Sequence, residues 1–146
     1  MPPSTTSLFP DINVWIALTY EGHAHHVNAA EWFATVSPQA SLAFCRFTQL
    51  GLLRLLTAEA VMGDEVMTQP QAWAAYDRWL RDPRVDFVDE PADLEISFRN
   101  LTRLRQPATK DWADSYLAAF ATGGQLTMVT FDRGLRAKVK SAVLLE

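Results

Sequence analysis

Short apolar runs alternate with helix-like segments along this chain of 146 residues, and the alternation limits which folds it can adopt. The runs have the length of buried strands, and the segments between them place apolar residues three and four apart, as helices do. Strands separated by helices favour a mostly parallel sheet that is covered on both faces. We therefore predict an α/β fold. The apolar runs are Leu8–Phe9, Ala40–Cys45, Val85–Val88, Leu126–Phe131 and Ala142–Leu145.

The helix expected over 110–122 has the clearest boundaries. Thr109 is a suitable N-cap, and Gly123 and Gly124 follow the last residues of the apolar pattern. Glycine most easily adopts the left-handed conformation that ends many helices, so we predict that these glycines end this one. The other predicted helices cover 13–18, 25–35, 47–57, 92–104 and the segment that follows Thr68.

The middle of the chain carries a weaker pattern. Residues 58–67 show little periodicity and are predicted to form a loop or a short helix. Thr68 then predicts the start of a helix, because threonine is a good N-cap. Trp73, Tyr76 and Leu80 follow the spacing of one helical face and are predicted to point inward.

Composition and length predict one domain over residues 1–146. A hydrophobic content of 49% and a charged content of 21% are ordinary for a globular core. The apolar runs are far shorter than the roughly 20 residues that cross a bilayer. The first seven residues lack the features of a secretory signal, so we expect a cytoplasmic protein with no membrane contact. The single cysteine, Cys45, lies among apolar neighbours and is expected to be a buried core residue.

The net charge of −4 argues against a protein that coats nucleic acid through bulk electrostatics. Any contact with nucleic acid must then be local. Two basic stretches are candidates, although both are also explained as solvated faces. They contain Arg99, Arg103, Arg105 and Lys110 in the first and Arg133, Arg136, Lys138 and Lys140 in the second.

Three acidic residues occupy positions where an α/β fold brings side chains together. Asp11 and Asp132 follow two of the predicted strands, and Asp114 lies on the apolar face of the helix over 110–122. Several carboxylates in one cleft raise each other's pKa unless a divalent cation neutralises them. Their positions therefore suggest metal-assisted chemistry on phosphate. Each also has a structural explanation, as a helix cap, a turn residue or a half-buried hydrogen-bond acceptor.

The acidic residues and their surroundings resemble the PIN domain family of metal-dependent ribonucleases, and within it the VapC-like toxins of bacterial toxin-antitoxin pairs. The resemblance spans nearly the whole chain and depends on motif order and spacing. The motifs are D-I-N-V-W-I-A-L from Asp11, T-Q-L-G-L-L-R from Thr48, A-D-S-Y-L-A-A-F-A from Ala113 and V-T-F-D from Val129.

The resemblance implies a PIN-like α/β/α sandwich with a mostly parallel central sheet. It implies that Asp11, Asp114 and Asp132 are the catalytic and metal-binding residues, and that Asn13 and Thr130 orient them. The expected cofactor is Mg²⁺, for which Mn²⁺ can substitute, since both prefer oxygen ligands. The expected activity is hydrolysis of phosphodiester bonds in cellular RNA. The expected partners are an RNA substrate, a VapB-like antitoxin and a second copy of the chain in a homodimer.

Gln49 departs from the family pattern, which has a glutamate at this position. An amide lowers the negative charge of the site by one and makes a second metal ion less favourable. Asp111, one turn before Asp114, is a candidate fourth ligand, although a carboxylate in the first turn of a helix is also stabilised by the helix dipole. Arg54 is predicted on the inward-leaning side of its helix, where it would bind phosphate or pair with an acid.

Other functions remain open from the sequence. The first is a catalytically weak or inactive PIN scaffold that binds RNA or a protein partner, which Gln49 makes reasonable. The second is an aspartyl-phosphate enzyme with Asp11 as nucleophile and Lys110 as its cation. The cluster of His23, His25 and His26 suggests zinc, but the chain offers no further histidine to complete a closed site.

Overall fold

A computed structural model describes residues 6–146 of the chain. The first five residues, part of the segment expected to lack a secretory signal, lie outside the described residues. The described part contains one sheet with the strand order β3-β2-β1-β4-β5, in which every pair of neighbouring strands is parallel. The strands are β1 Ser7–Pro10, β2 Ser41–Phe44, β3 Val85–Phe87, β4 Thr127–Thr130 and β5 Val143–Leu144.

Helices connect the strands and cover both faces of the sheet, so the predicted parallel α/β/α sandwich is confirmed. They are α1 Ile12–Thr19, α2 His26–Ala34, α3 Arg46–Leu56, α4 Glu59–Met62, α5 Gln69–Leu80, α6 Leu94–Leu101, α7 Asp111–Gly124 and α8 Arg133–Lys138, with a 3-10 helix at Gly63–Glu65. Within residues 6–146, none of these helices has the length and apolarity needed to cross a bilayer.

The core consists of two apolar layers, one on each face of the sheet. Trp15 of α1 stacks on Phe44 with ring centroids 4.0 Å apart on one face. Phe9 of β1 stacks on Phe120 of α7 with centroids 5.0 Å apart on the other. Each of these rings is at most 1% exposed. Successive residues of a strand point to opposite faces, so the apolar runs in the sequence supply both layers at once.

The strand order determines where a site can form. β1 lies in the middle of the sheet, between β2 and β4. The backbone N–H of Asp11, directly after β1, donates to the carbonyl of Val129 in β4 at 3.0 Å. Asp132 follows β4 by two residues. Asp11 and Asp132 therefore lie at the same carboxyl edge of the sheet, where ligands of parallel α/β folds bind.

The structure corrects the predicted ends of α7. The helix begins after Lys110, without a side-chain cap, rather than after Thr109. Its C-terminal left-handed residue is Gln125, with φ 55°, and not Gly123 or Gly124. A Cβ atom at Gly123 would lie only 3.0 Å from the side chain of Pro91. At Gly123, glycine is thus required by close packing and not by backbone conformation.

The predicted inner face of α5 is partly wrong. Thr68 caps the helix as expected, accepting from the N–H of Gln71 at 3.3 Å. Tyr76 is buried as predicted, but Trp73 is 47% and Leu80 39% exposed. The buried stripe is instead built on Ala72, Ala75 and Tyr76, because small alanines let α5 pack closely against its neighbours. The remaining predicted helices differ from the structure only at their ends, and the weakly periodic segment contains α4 and the 3-10 helix.

Candidate active site

Asp11 begins α1 as its N-cap. Its Oδ1 atom accepts a hydrogen bond from the backbone N–H of Val14 at 3.1 Å, and its Oδ2 atom accepts one from the hydroxyl of Thr130. Only 4% of the residue is exposed. Helix capping explains the first bond, but it requires neither the burial nor the second bond. Asp11 is therefore more enclosed than a helix cap needs to be.

Burial raises the pKa of Asp11 from 3.8 to about 6. The hydrogen bonds from Thr130 and Val14 oppose the increase, and the negative charge of Asp132 adds to it. A shift of this size corresponds to roughly 3 kcal/mol between the two protonation states. The ion pairs found among residues 6–146 do not include Asp11. Its carboxylate is thus held by hydrogen bonds, with no protein cation in contact.

Thr130 connects Asp11 to Asp132. This fully buried residue ends β4, and its hydroxyl donates to Asp11 and accepts from the backbone N–H of Asp132 at 2.9 Å. The carboxylate of Asp132 caps α8, accepting from the N–H of Gly134 at 2.7 Å and of Leu135 at 3.3 Å. One hydroxyl therefore links the two strand ends that carry acidic residues.

Asp114 lies in the first turn of α7 and is partly buried. The pKa of Asp114 is raised, mainly by burial and secondly by the negative charge of Asp132. The positive charge of Lys138 opposes this increase. Asp132 thus raises the pKa of both Asp11 and Asp114. Asp132 therefore lies within electrostatic reach of each of the other two carboxylates that were predicted from sequence.

Asp111 has a different environment from its neighbours. Its carboxylate forms an ion pair with the Lys138 ammonium and accepts from the Ser115 hydroxyl at 3.1 Å. The Lys138 ammonium also donates to Ser115, at 2.9 Å. The hydrogen bond from Lys138 is the main reason why the pKa of Asp111 lies below its usual value. Its proposed role as a compensating metal ligand stays a prediction, but the structure already supplies it with a cation.

Gln49 lies buried on α3, and its side-chain oxygen accepts from a guanidinium nitrogen of Arg46 at 2.7 Å. Its side chain also bonds the hydroxyl of Tyr76, which partly offsets the effect of burial on the pKa of that tyrosine. Arg46 was not among the residues expected at the site. Arg46 is the first residue of the helix that follows β2, and this position could have identified it as a residue near the site. Lys138 was expected only as part of a basic stretch, and its pairing with Asp111, 27 positions away in sequence, was missed.

Two supporting residues differ from expectation in how they are placed. Asn13 is exposed in the first turn of α1 and reaches Asp11 through its backbone N–H. Arg54 was predicted on the inward-leaning side of α3, and this placement is wrong. Its side chain is exposed and lines a groove with Leu50 and Trp73, and it belongs to none of the ion pairs found among residues 6–146. The inner positions of α3 are filled by Leu52 and Leu56.

The histidine cluster spans the segment after α1 and the first residue of α2, which is His26. The ring of His26 contacts the carbonyl of Ala17 at 2.7 Å, and the ring of His25 stacks on Phe131 with centroids 4.5 Å apart. His23 accepts from the backbone N–H of His25 at 3.0 Å. These contacts place the rings in local packing and turn roles.

The donor chemistry at the sheet edge fits a hard divalent cation, because every candidate ligand is a carboxylate or hydroxyl oxygen. Asp132 raises the pKa of both Asp11 and Asp114, which indicates that positive charge is what the cluster lacks. Within residues 6–146, however, no three acidic, histidine or cysteine side chains converge closely enough to coordinate one ion as they stand. Asp11 and Asp132 are instead engaged by backbone N–H groups, and Asp111 by Lys138.

Comparison with known proteins places these residues in a family. The PIN domain model matches residues 8–140. The chain is 42% identical over 129 residues to ribonuclease VapC41 of Mycobacterium tuberculosis, covering 86% of this chain and 88% of that protein. It is 28% identical over 133 residues to ribonuclease VapC38 of the same organism, covering 86% and 84%.

Solved structures share the fold at lower identity. The crystal structure of VapC20 from M. tuberculosis, described as a toxin that cleaves the sarcin-ricin loop, aligns with a TM-score of 0.64 at 20% identity, covering 90% of this chain and 94% of that one. VapBC-1 from nontypeable Haemophilus influenzae aligns with a TM-score of 0.64 at 14% identity, covering 95% and 96%. The family match and the identity to VapC41 together establish that this chain belongs to the PIN domain family.

Proposed function

We propose that this chain is a divalent-metal-dependent endoribonuclease and the toxin of a VapBC-type toxin-antitoxin pair. The observation that carries the proposal is the edge of the sheet where Asp132 raises the pKa of both Asp11 and Asp114. This acidic edge occurs in a chain 42% identical to a protein named as a ribonuclease. A cluster of carboxylates with too little positive charge is suited to a cation that also binds phosphate.

Asp11, Asp114 and Asp132 are the residues that would hold Mg²⁺, or Mn²⁺ in its place. When bound, the cation supplies charge neutralisation at the scissile phosphate and a lower pKa for the attacking water. Thr130 fixes Asp11 by donating to one of its oxygens, which leaves the carboxylate no freedom to rotate away. Lys138 lowers the pKa of Asp114, but this only partly offsets the increase caused by burial and by Asp132.

A covalent mechanism has no support at this site. The one cysteine, Cys45, is buried, and burial raises the pKa of its thiol, so the reactive thiolate is disfavoured. In the aspartyl-phosphate alternative Asp11 is the nucleophile and Lys110 its cation, but Lys110 is exposed and belongs to none of the ion pairs found among residues 6–146. Attack by water is the reaction that these residues favour.

The proposal includes the partners of the toxin. The neighbouring structures include a VapBC complex, and a VapB-like antitoxin is the partner we propose for this chain. We also propose that the chain forms a homodimer and acts in the cytoplasm, where its RNA substrate is. The chain's own sequence offers five tryptophans, of which Trp73 and Trp112 are prominently exposed, as aromatic side chains available for interfaces.

A second candidate function is a PIN scaffold that binds RNA or a protein partner without cutting. Gln49 favours it, since the amide leaves the site one carboxylate short and bonds Arg46. The two functions differ in one observable property, which is cleavage that depends on a divalent cation.

Incubation of a total-RNA panel with purified protein distinguishes them. With Mg²⁺ or Mn²⁺ we expect defined cuts that EDTA abolishes. Asp11→Asn and Asp114→Asn should each reduce cleavage by roughly 100-fold or more, because each removes a carboxylate that would hold the cation which stabilises the reacting phosphate. Asp77→Asn, which changes an exposed carboxylate on α5, is the matched control and should cut normally. Absence of cleavage with every metal, in a protein that still binds RNA, would favour the scaffold.

A further inference from the structure

An aromatic groove lies beside the acidic cluster and has no role in the mechanism above. It has a volume of about 600 Å³ and is lined by residues of α3, α6 and α7. This volume lies within the roughly 300–1,000 Å³ range of small-molecule pockets. The residues that matter here are Arg46, Phe47, Phe98, Trp112 and Tyr116.

One wall of the groove adjoins Asp114 along α7. Ala113, which lines it, directly precedes Asp114 in α7. Arg46 starts α3 after β2, as Asp11 starts α1 after β1, and these two strands are parallel neighbours in the sheet. Neighbouring strands are about 5 Å apart. A chain of nucleotides whose phosphate lies at the carboxylates therefore extends naturally towards this groove.

The walls of the groove present aromatic faces that are held in place. Phe98 packs edge-on against Trp112 and Tyr116, with ring centroids 6.0 and 5.8 Å apart. The hydroxyl of Tyr116 donates to Glu90 at 2.9 Å, so its polar end already has a partner. Trp112 is 58% exposed, although a tryptophan normally buries most of its surface. An exposed, braced indole beside a cleft is suited to stacking on a planar ligand.

Arg46 supplies a fixed positive charge at the edge of the groove. One guanidinium nitrogen donates to Gln49, and the guanidinium carbon lies 4.6 Å above the centre of the Phe87 ring. The ion pairs within residues 6–146 do not include Arg46. A guanidinium has five N–H donors, so most of its donors remain for an anion. A glutamate at position 49 would pair with this charge, whereas the amide of Gln49 orients it without neutralising it.

Glu90 also lines the groove, but its carboxylate accepts from Tyr116, and the segment beside the groove carries positive charge. The segment 102–110, between α6 and α7, contains Arg103, Arg105 and Lys110 and no acidic residue, and its Thr109 lines the groove. All three cationic side chains are exposed. This local charge contrasts with the net charge of −4 for the whole chain. Aromatic faces combined with cationic groups are the usual means of binding single-stranded nucleic acid.

We propose that this groove is a nucleotide subsite for single-stranded RNA, in which a base stacks on Trp112 and Arg46 binds a phosphate of the same strand. The proposal rests on the nuclease function proposed above and adds to it the form of RNA that is bound. It also gives Gln49 a role, which is to position Arg46 towards the substrate.

Binding in the absence of metal tests the subsite separately from catalysis. The probe is a fluorescein-labelled single-stranded RNA of eight nucleotides, and the readout is its fluorescence anisotropy in EDTA at several KCl concentrations. We expect Trp112→Ala to weaken binding about tenfold without changing the salt dependence, because it removes stacking. Trp112→Phe should restore binding to within about threefold, since phenylalanine still stacks.

Arg46→Ala should weaken binding and also reduce the slope of log affinity against log salt by about 0.7, as expected for one lost phosphate contact on a single strand. The matched controls on α5 are Trp73→Ala, which removes another exposed tryptophan, and Arg78→Ala, which removes another exposed arginine. Both should bind RNA like the wild type. Circular dichroism and thermal unfolding verify that each variant is folded.

Several results would overturn the subsite. Equal RNA binding by Trp112→Ala and Trp73→Ala would do so, as would wild-type protein that binds no RNA. If Trp112→Ala and Arg46→Ala bound a peptide from the antitoxin more weakly but bound RNA like the wild type, the groove would be assigned to a protein partner instead. A different result would contradict the nuclease function but leave the subsite intact. In that case RNA binding would depend on Trp112 and Arg46, but no metal would support cleavage.

Discussion

Asp11 at the start of α1 and Asp111 at the start of α7 have opposite electrostatic environments. Asp111 is paired with Lys138, and its pKa is lowered. Asp11 has only hydrogen-bond donors as partners, and its pKa is raised to about 6. Asp114 lies between these extremes, because Asp132 raises its pKa and Lys138 lowers it. The difference shows that an acidic cluster is informative about function only when the protein itself does not neutralise it.

The different charge environments of Asp11 and Asp111 affect the stability of the metal-free protein. Charge that the fold leaves unbalanced lowers stability until a ligand arrives, whereas charge that the fold balances contributes stability directly. Asp11 is of the first kind and Asp111 of the second. Variants at the two residues should therefore change stability in opposite directions, and the pH dependence of each change should differ in sign.

The largest effect on stability is expected at Asp11. The unfolded chain ionises this residue near pH 3.8 and the folded protein near pH 6, so its contribution to stability falls as pH rises through this window and stays low above it. Asp11→Asn keeps an N-cap and removes the charge. In EDTA, urea unfolding at pH 7 should show the variant more stable by about 1–3 kcal/mol, with little difference near pH 4.

Two outcomes of the Asp11→Asn unfolding experiment would contradict this prediction. A variant that is less stable than the wild type at pH 7, or a difference that does not change between pH 4 and pH 7, would mean that burial of the Asp11 charge carries no cost. The enclosed carboxylate would then be a structural residue like Asp111.

A smaller effect of opposite pH dependence is expected at Lys138. Lys138→Met leaves Asp111 without its cation, which should lower stability by up to about 1 kcal/mol because the pair is partly exposed. The pKa of Asp111 is lowered in the folded protein, so this contribution is present at neutral pH and disappears as pH falls below about 4. Lys140→Met, at an exposed position two residues later, is the control for loss of one positive charge. Equal losses in both variants at pH 7 would contradict a specific pair.

The sequence predicted the part of this arrangement that depends on local pattern. Apolar runs of strand length located all five strands, and strand order in a parallel sheet then explains why Asp11 and Asp132 meet. These two features follow from periodicity and from the common edge of parallel strands. The role of Thr130 was implied by the resemblance to the PIN domain family, and its hydroxyl contacts both Asp11 and Asp132.

The rest depends on packing between distant elements. Lys138 reaches Asp111 only because α8 lies beside the first turn of α7, and no spacing in the sequence reveals this. The exposure of Trp73 was missed because two apolar faces of α5 have helical spacing and share Tyr76. The face with Ala72 and Ala75 is the one that packs against the core. Arg46 could have been found, since it occupies the same strand-to-helix junction as Gln49 and lies one turn before it.

Titration calorimetry with Mn²⁺ is the deciding measurement, because it shows which carboxylates bind the divalent cation. The proteins are the wild type, Asp114→Asn, and the double variant Asp111→Asn/Lys138→Met, which replaces one neutral pair with another. We predict that Asp114→Asn weakens Mn²⁺ binding about tenfold or more and that the double variant stays within about threefold of the wild type. Equal losses in both variants, or no Mn²⁺ binding by the wild type, would contradict the claim that the uncompensated carboxylates are the metal site.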